Sequence, residues 1–211
     1  MKEPFRADME MIRRRAREKM DRGAVTEAYR ADVGQVIDVL NEVLATEIVC
    51  VLRYKNHYFM APGVHGDAVA SEFLQHATEE QQHADQVARR IAQLGGNPDL
   101  DPAGLATRAH AVYREGDDLD DMIREDLAAE RVAIATYSEI IRWLGDDDPT
   151  TRRMMEEILA KEEEHADELA MLLEPTRRRP VQAARKPVPL AGVSGSAASG
   201  VSGVNRGRGT S

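Results

Sequence analysis

Glutamate and histidine three residues apart occur twice, as Glu80/His83 in EEQQHADQV and as Glu162/His165 in EEEHADELA, each followed by Ala-Asp. Side chains three apart on an α-helix are neighbours on one face. Each pair lies in the second of two long helical stretches, and the first stretches match as well. LNEVLATEIVCVLRY (40–54) aligns with IREDLAAERVAIATY (123–137) at an offset of 83, placing Leu44 on Leu127, Ala45 on Ala128, Glu47 on Glu130 and Tyr54 on Tyr137. A chain that repeats a pair of helices must bury the two apolar faces against each other.

The helix limits follow from period and punctuation. Apolar residues at 36, 37, 40, 43, 44, 48, 51 and 52 recur with a helical spacing. APGVHG at 61–66 breaks that run. A second helix covers about 67–94 and stops at Gly95-Gly96; a third covers about 117–144 and stops at Gly145. Asp148-Pro149 opens a fourth, a capping residue followed by proline in the first turn, which reaches about Leu173. The connection GNPDLDPAGLATRAHAVYREG spans roughly 60 Å when extended. A helix of 28 residues is only about 42 Å long. The expectation is all-α: a four-helix bundle over 32–174 with one long crossover between the second and third helices.

Residues 1–31 read as a charged extension with a short helix around MEMIRRRAREKM. Residues 175–211, Pro/Arg-rich and then Gly/Ser/Ala-rich, read as a disordered tail. The tail holds seven basic residues, among them Arg177, Arg178, Arg179 and Lys186, and no acidic one. With a net charge of −9 for the chain, residues 1–174 carry −16 (−9 minus 7), suited to attracting cations. Cys50 is the only cysteine, which excludes an intrachain disulfide and a cysteine-based metal site. No apolar run approaches the roughly 18 residues of a membrane span. MKEPFRADMEMIRRR has no apolar stretch to serve as a signal peptide, so the cytoplasm is the expected location.

Residues equidistant from the turn of an antiparallel hairpin stand side by side. The midpoint of Glu47 and Glu80 falls at 63.5, inside the first break; that of Glu130 and Glu162 falls at 146, inside the second. Glu47, Glu80, His83, Glu130, Glu162 and His165 therefore meet at one level, about 25 Å from the turns. Buried carboxylates repel one another and lose hydration, and two divalent cations balance four of them. Carboxylate and imidazole without thiolate suit iron or manganese, with zinc as a competitor. Glu47 within LATEIVCVL and Glu130 within DLAAERVAI sit where an uncompensated charge would be costly.

The remaining candidates are plainer. His57, His65, His76 and His110 show no partner spacing and read as surface or loop residues. Met60, Met122, Met154, Met155 and Met171 read as packing or helix-forming residues. Tyr54 and Tyr137, seven residues after Glu47 and Glu130, share their faces and are either core tyrosines or donors to metal-binding carboxylates. Cys50 reads as a buried small hydrophobe.

This constellation resembles the ferritin-like superfamily, bacterioferritin in particular, over about 33–173. The likeness includes the step of 33 from Glu47 to Glu80, Tyr54, HAD after the first Glu-x-x, and MIREDLAAE leading to Glu130. The resemblance implies that Glu47 and His83 hold one iron, Glu130 and His165 a second, with Glu80 and Glu162 bridging. It implies oxidation of Fe²⁺ by dioxygen or hydrogen peroxide and ferric mineral storage in a homo-oligomeric shell. Gln81 stands where bacterioferritin has its haem-ligating methionine, so haem is not expected. PTRRRPVQAARKPVP replaces the fifth helix of the 24-subunit shell, and the connection between Glu80 and Glu130 is longer. The N-terminal extension is similar to that of a Dps-like group of twelve subunits with a bacterioferritin-type centre, so 12 and 24 both stand. Two other functions compete: a Dps-like DNA-protecting protein using the basic tail, and a peroxide-consuming di-iron or di-manganese enzyme.

Overall fold

The computed structural model describes residues 4–61 and 66–173; the tail expected over 175–211, and His65, lie outside them. Six α-helices occur among the described residues: α1 (Met9–Arg15), α2 (Val33–Met60), α3 (Gly66–Gln93), α4 (Pro102–Arg108), α5 (Leu119–Leu144) and α6 (Pro149–Leu173). There is one 3₁₀ turn, Met20–Arg22, and no strand among them. The four long helices lie within two residues of the limits read from the sequence, because local chemistry sets their ends. Asp32, Asp118 and Asp148 accept from the backbone N–H groups of Gln35, Asp121 and Thr151 at 3.1, 2.9 and 2.9 Å. Each such cap is worth about 1 kcal/mol. Gly95 and Gly145 close α3 and α5 with φ of +86° and +49°, a region that favours glycine.

Helix α2 packs along α3, and α5 along α6, as the two hairpins of one bundle. The crossover between α3 and α5 carries a two-turn helix, α4, that its Gly, Pro and Asp content did not announce. Asp101 caps it, Pro102 opens it, and Leu105 buries against Ala45 and Val49 of α2. Further straps hold the crossover on α2: the Asp99 amide donates to Asn41 Oδ1 at 2.8 Å, and the His110 amide donates to Thr46 Oγ1 at 2.9 Å. Helix α1 buries none of its residues, whereas Val25 and Tyr29 of the following segment pack on the core.

Asp148 joins three parts of the fold. Its carboxylate accepts from Arg90 of α3 at 2.9 Å, from the Thr151 hydroxyl of α6 at 2.5 Å and from the Tyr29 hydroxyl at 2.7 Å. Burial opposes its ionisation, but these donors hold it below the usual carboxylate range. Of the methionines, Met122 and Met155 are buried, and Met60 and Met171 are exposed.

The apolar core falls into two main clusters along the bundle. Leu40, Leu44, Val87, Ile91, Ile140 and Ile158 belong to one; Cys50, Phe73, Ala77, Met122, Ile123 and Leu169 belong to the other. Fully burying one such leucine or isoleucine is worth about 1.5–3 kcal/mol. Between the clusters in sequence, on each long helix, stands a buried glutamate: Glu47, Glu80, Glu130 and Glu162. Among the described residues no helix is long and apolar enough to cross a membrane.

Candidate metal centre

The six residues expected at one level come together there, and none is more than 4 % exposed. Their ligand atoms form two overlapping sets, each within 4.8 Å. Glu47, Glu80, His83 and Glu162 make one; Glu80, Glu130, Glu162 and His165 make the other. Glu80 and Glu162 are common to both, because the second helix of each hairpin presents its Glu-x-x-His face to the bundle axis. His83 Nδ1 stands 3.1 Å from Glu162 Oε1, 3.4 Å from Glu47 Oε2 and 3.5 Å from Glu80 Oε2. His165 Nδ1 stands 3.2 Å from Glu80 Oε1 and 3.7 Å from Glu162 Oε2.

These approaches are electrostatic rather than aligned hydrogen bonds. Glu47 Oε2, Glu80 Oε1, Glu130 Oε2, both oxygens of Glu162, and Nδ1 of His83 and His165 are buried without a hydrogen-bond partner. A buried polar atom left unpaired costs about 1–3 kcal/mol. Seven of them, spread over all six residues and converging on one volume, fit two divalent cations well. His165 is already oriented for that role: its Nε2 lies 2.6 Å from Glu79 Oε2, so an Nε2–H donated outward leaves Nδ1 free to face the centre.

Without cations the centre neutralises itself with protons. Burial, then the Glu80 carboxylate, raises Glu47 to about 8. Burial and the carboxylates of Glu80 and Glu162 raise Glu130 well above its ordinary value. Burial also opposes ionisation of Glu80 and Glu162, yet the adjacent imidazoles hold both below the usual range. Burial disfavours the charged imidazoles too, and the surrounding carboxylates override it, raising His165 to about 11 and His83 well above normal. Two glutamic acids, two carboxylates and two imidazolium ions sum to zero charge.

Two tyrosines complete the layer. The Tyr54 hydroxyl donates to Glu130 Oε1, and the Tyr137 hydroxyl to Glu47 Oε1. Each phenol is pushed well above its ordinary value, by burial and then by the carboxylate it meets, so it remains a donor. Both tyrosines are fully buried members of the core clusters and also donors to buried carboxylates, so the two readings left open for them coexist.

The ferritin-like domain pattern matches residues 37–179. The chain belongs to the ferritin-like domain family. It is 27% identical over 108 residues to a bacterioferritin of Desulfovibrio desulfuricans, an alignment covering 51% of this chain and 56% of that protein. It is 29% identical over 124 residues to a DNA protection during starvation protein of Pyrococcus furiosus, covering 56% and 65%. The chain thus spans less than two thirds of the length of these two relatives. Among solved structures, the bacterioferritin-related protein of Bacteroides fragilis, described as a dodecameric thioferritin, superposes with a TM-score of 0.66 at 34% identity, covering 68% of this chain and 87% of that one.

Within this ferritin-like bundle, two of the histidines read as surface or loop residues are placed otherwise, while His110 lies in the crossover loop as read. His57 is fully buried, with Nδ1 2.7 Å from Asp126 Oδ2 and Nε2 3.1 Å from the Arg114 carbonyl. Arg53 Nε donates to the other Asp126 oxygen at 2.7 Å, closing a buried charged cluster one turn from Glu130. His76 is also fully buried, stacked on His165 at 4.0 Å between ring centroids. His110 is half-buried against Thr46. Spacing did hold a signal: Arg53/His57 and Glu72/His76 are each four apart, on common helix faces. Their partners Asp126 and Glu168 come from other helices, which spacing within one segment does not reveal. Gln81 is exposed, its amide donating to Asp85 at 3.1 Å.

Proposed function

We propose that this chain is a ferroxidase and iron-storage protein. It oxidises Fe²⁺ at a centre made by Glu47, Glu80, His83, Glu130, Glu162 and His165, and copies of it form a hollow shell that retains the ferric product. The observation that carries the reading is the pair of overlapping ligand sets sharing Glu80 and Glu162, with unpartnered atoms on all six residues.

Iron is the substrate, and the electrons balance in pairs. Two Fe²⁺ reduce dioxygen, with two protons, to hydrogen peroxide; a further two reduce hydrogen peroxide, with two protons, to water. Glu80 and Glu162 hold two ions at the short separation that two-metal chemistry requires. Glu47/His83 and Glu130/His165 give each ion its own carboxylate and imidazole. Tyr54 and Tyr137 fix the outer oxygens of Glu130 and Glu47, and Glu79 fixes the His165 ring. A cavity of about 290 Å³ lined by Glu79, Gln82, His83 and Lys161 offers ions a route to the His83 side.

The Bacteroides fragilis protein is a dodecamer, and its similarity over most of its length supports a twelve-subunit shell here. The similarity to a DNA protection during starvation protein and the seven basic residues of 175–211 support one added role, salt-sensitive DNA binding through the tail. Aerobic addition of Fe²⁺ to metal-free protein tests the central reading. Rapid oxidation, iron retained through gel filtration and a particle mass of about twelve subunits are expected. Oxidation no faster than in buffer would overturn it; catalytic peroxide disproportionation without retained iron would instead assign a peroxide-consuming enzyme.

A further inference from the structure

A second group of metal-capable side chains lies on the far side of His165, where α3 meets α6. Glu72 and His76 come from α3 and Glu168 from α6, and one ligand atom from each falls within 4.8 Å of the others. His76 Nε2 is 2.9 Å from Glu168 Oε2 and 3.6 Å from Glu72 Oε1. The imidazole is fully buried, while the two carboxylates keep 30% and 29% of their side chains exposed. The cluster therefore has a fixed inner ligand and an outer side open to solvent.

The hydrogen-bond network decides what the inner ligand offers. Tyr54 spends its hydroxyl hydrogen on Glu130, so its oxygen can only accept from His76 Nδ1, 3.2 Å away. Nδ1 is thus engaged with Tyr54, and Nε2 is the ring atom that faces the two carboxylates. Nε2 stands 2.9 Å from Glu168 Oε2 and 3.6 Å from Glu72 Oε1, so a proton bridges it to Glu168 in the metal-free protein and a cation can take that proton's place. Cis ligands on an octahedral ion with bonds of about 2.05 Å stand about 2.9 Å apart.

The internal repeat shows that the fold does not require these residues. The offset of 82 that carries Glu80 onto Glu162 and His83 onto His165 carries Glu72 onto Met154, His76 onto Ile158, and Gln86 onto Glu168. Ile158 is a buried core residue in the other half of the bundle. An apolar side chain therefore serves the packing role at this level. Glu72 and His76 stand where the other hairpin has Met154 and Ile158, and Glu168 faces them from α6.

We propose that Glu72, His76 Nε2 and Glu168 form a third cation site, taking a divalent transition-metal ion of nitrogen and oxygen preference. Water fills its outer positions, so the ion exchanges readily. The site touches the six-residue centre twice, through the His76–His165 stack and through Tyr54, but uses none of the six as a ligand. Its existence does not depend on the oxidation chemistry proposed above.

Crystals of the full chain soaked in Co²⁺ test it by anomalous scattering. A peak is expected within bonding distance of His76 Nε2 and one oxygen each of Glu72 and Glu168, in addition to two peaks among the six residues. In Glu72→Ala/Glu168→Ala protein the outer peak should vanish while the two inner peaks remain, which also reports an intact bundle. In solution, Co²⁺ retained after gel filtration should fall by one ion per subunit. A wild-type map with nothing at His76 would overturn the proposal, as would an outer peak that survives the double substitution. An outer peak without the inner two would leave this site standing and defeat the six-residue centre instead.

Discussion

Tyr137 on α5 donates its hydroxyl hydrogen to Glu47 on α2, and the repeat returns the contact in mirror form, Tyr54 on α2 to Glu130 on α5. Each tyrosine follows one glutamate by seven residues and serves the other, so the two hairpins are tied at the level of the centre. Tyr54→Phe and Tyr137→Phe should each keep the fold, losing about 1–2 kcal/mol in urea denaturation. Fe²⁺ oxidation should slow by about 10–100-fold, the usual cost of removing a partner of a metal-binding group. Unchanged stopped-flow rates in both variants would remove the tyrosines from the centre.

Glu47→Gln and Glu130→Gln replace the two glutamic acids of the metal-free centre with neutral amides that cannot become carboxylate ligands. Rapid Fe²⁺ oxidation should be lost in both. The metal-free variants should melt near the wild-type temperature at pH 6, where both glutamates are already neutral in the folded protein. Calorimetry on chelator-treated protein, paired with oxidation assays, checks the two outcomes together. Retained activity in either variant contradicts the assignment of that glutamate.

The metal-free protein should lose stability as pH rises from 6 to 9. His83 and His165 stay protonated when folded, after their unfolded counterparts have released protons near pH 6.5. Glu47 and Glu130 stay protonated well above the unfolded value of 4.5. The folded state therefore binds more protons than the unfolded state throughout that window, and stability falls with pH. Glu80 and Glu162, with lowered values, act only below that window. Melting scans at four pH values in the presence of chelator measure the trend; a flat or rising curve refutes it.

Loading the centre exchanges those protons for cations. Near pH 7, two divalent ions per subunit should displace about four protons, two from the glutamic acids and two from the imidazolium ions. A divalent-metal titration in two buffers of different ionisation enthalpy gives the count. Release of one proton or fewer per subunit would rule out this protonation pattern.

Asp126 is buried between Arg53 and His57. Asp126→Ala strands the Arg53 guanidinium in the core and should cost about 3–5 kcal/mol. Chemical denaturation measures it, and a loss below about 1 kcal/mol would show the cluster to be dispensable.

Truncation after Glu174 removes the seven basic residues of the tail. Iron oxidation should be unchanged and any DNA retention at low salt should disappear. DNA binding equal to that of the full chain would assign it to the bundle.

Sequence alone determined the four long helices, their pairing and the level at which six ligand-type residues meet. Each of these depends on short-range order: a 3.6-residue period, a capping aspartate, a closing glycine, and distances from a turn. The repeat made the centre legible because two equivalent hairpins must present equivalent faces to one axis. Tertiary structure alone decided which tyrosine serves which glutamate, since that contact crosses between hairpins. It also placed His57 and His76 inside rather than outside. A histidine enters a core only when polar partners from other segments satisfy both ring nitrogens. The Tyr54 hydroxyl reaches His76 within one hairpin, but Asp126, Arg114 and Glu168 become partners only after the long crossover has brought α5 and α6 against α2 and α3.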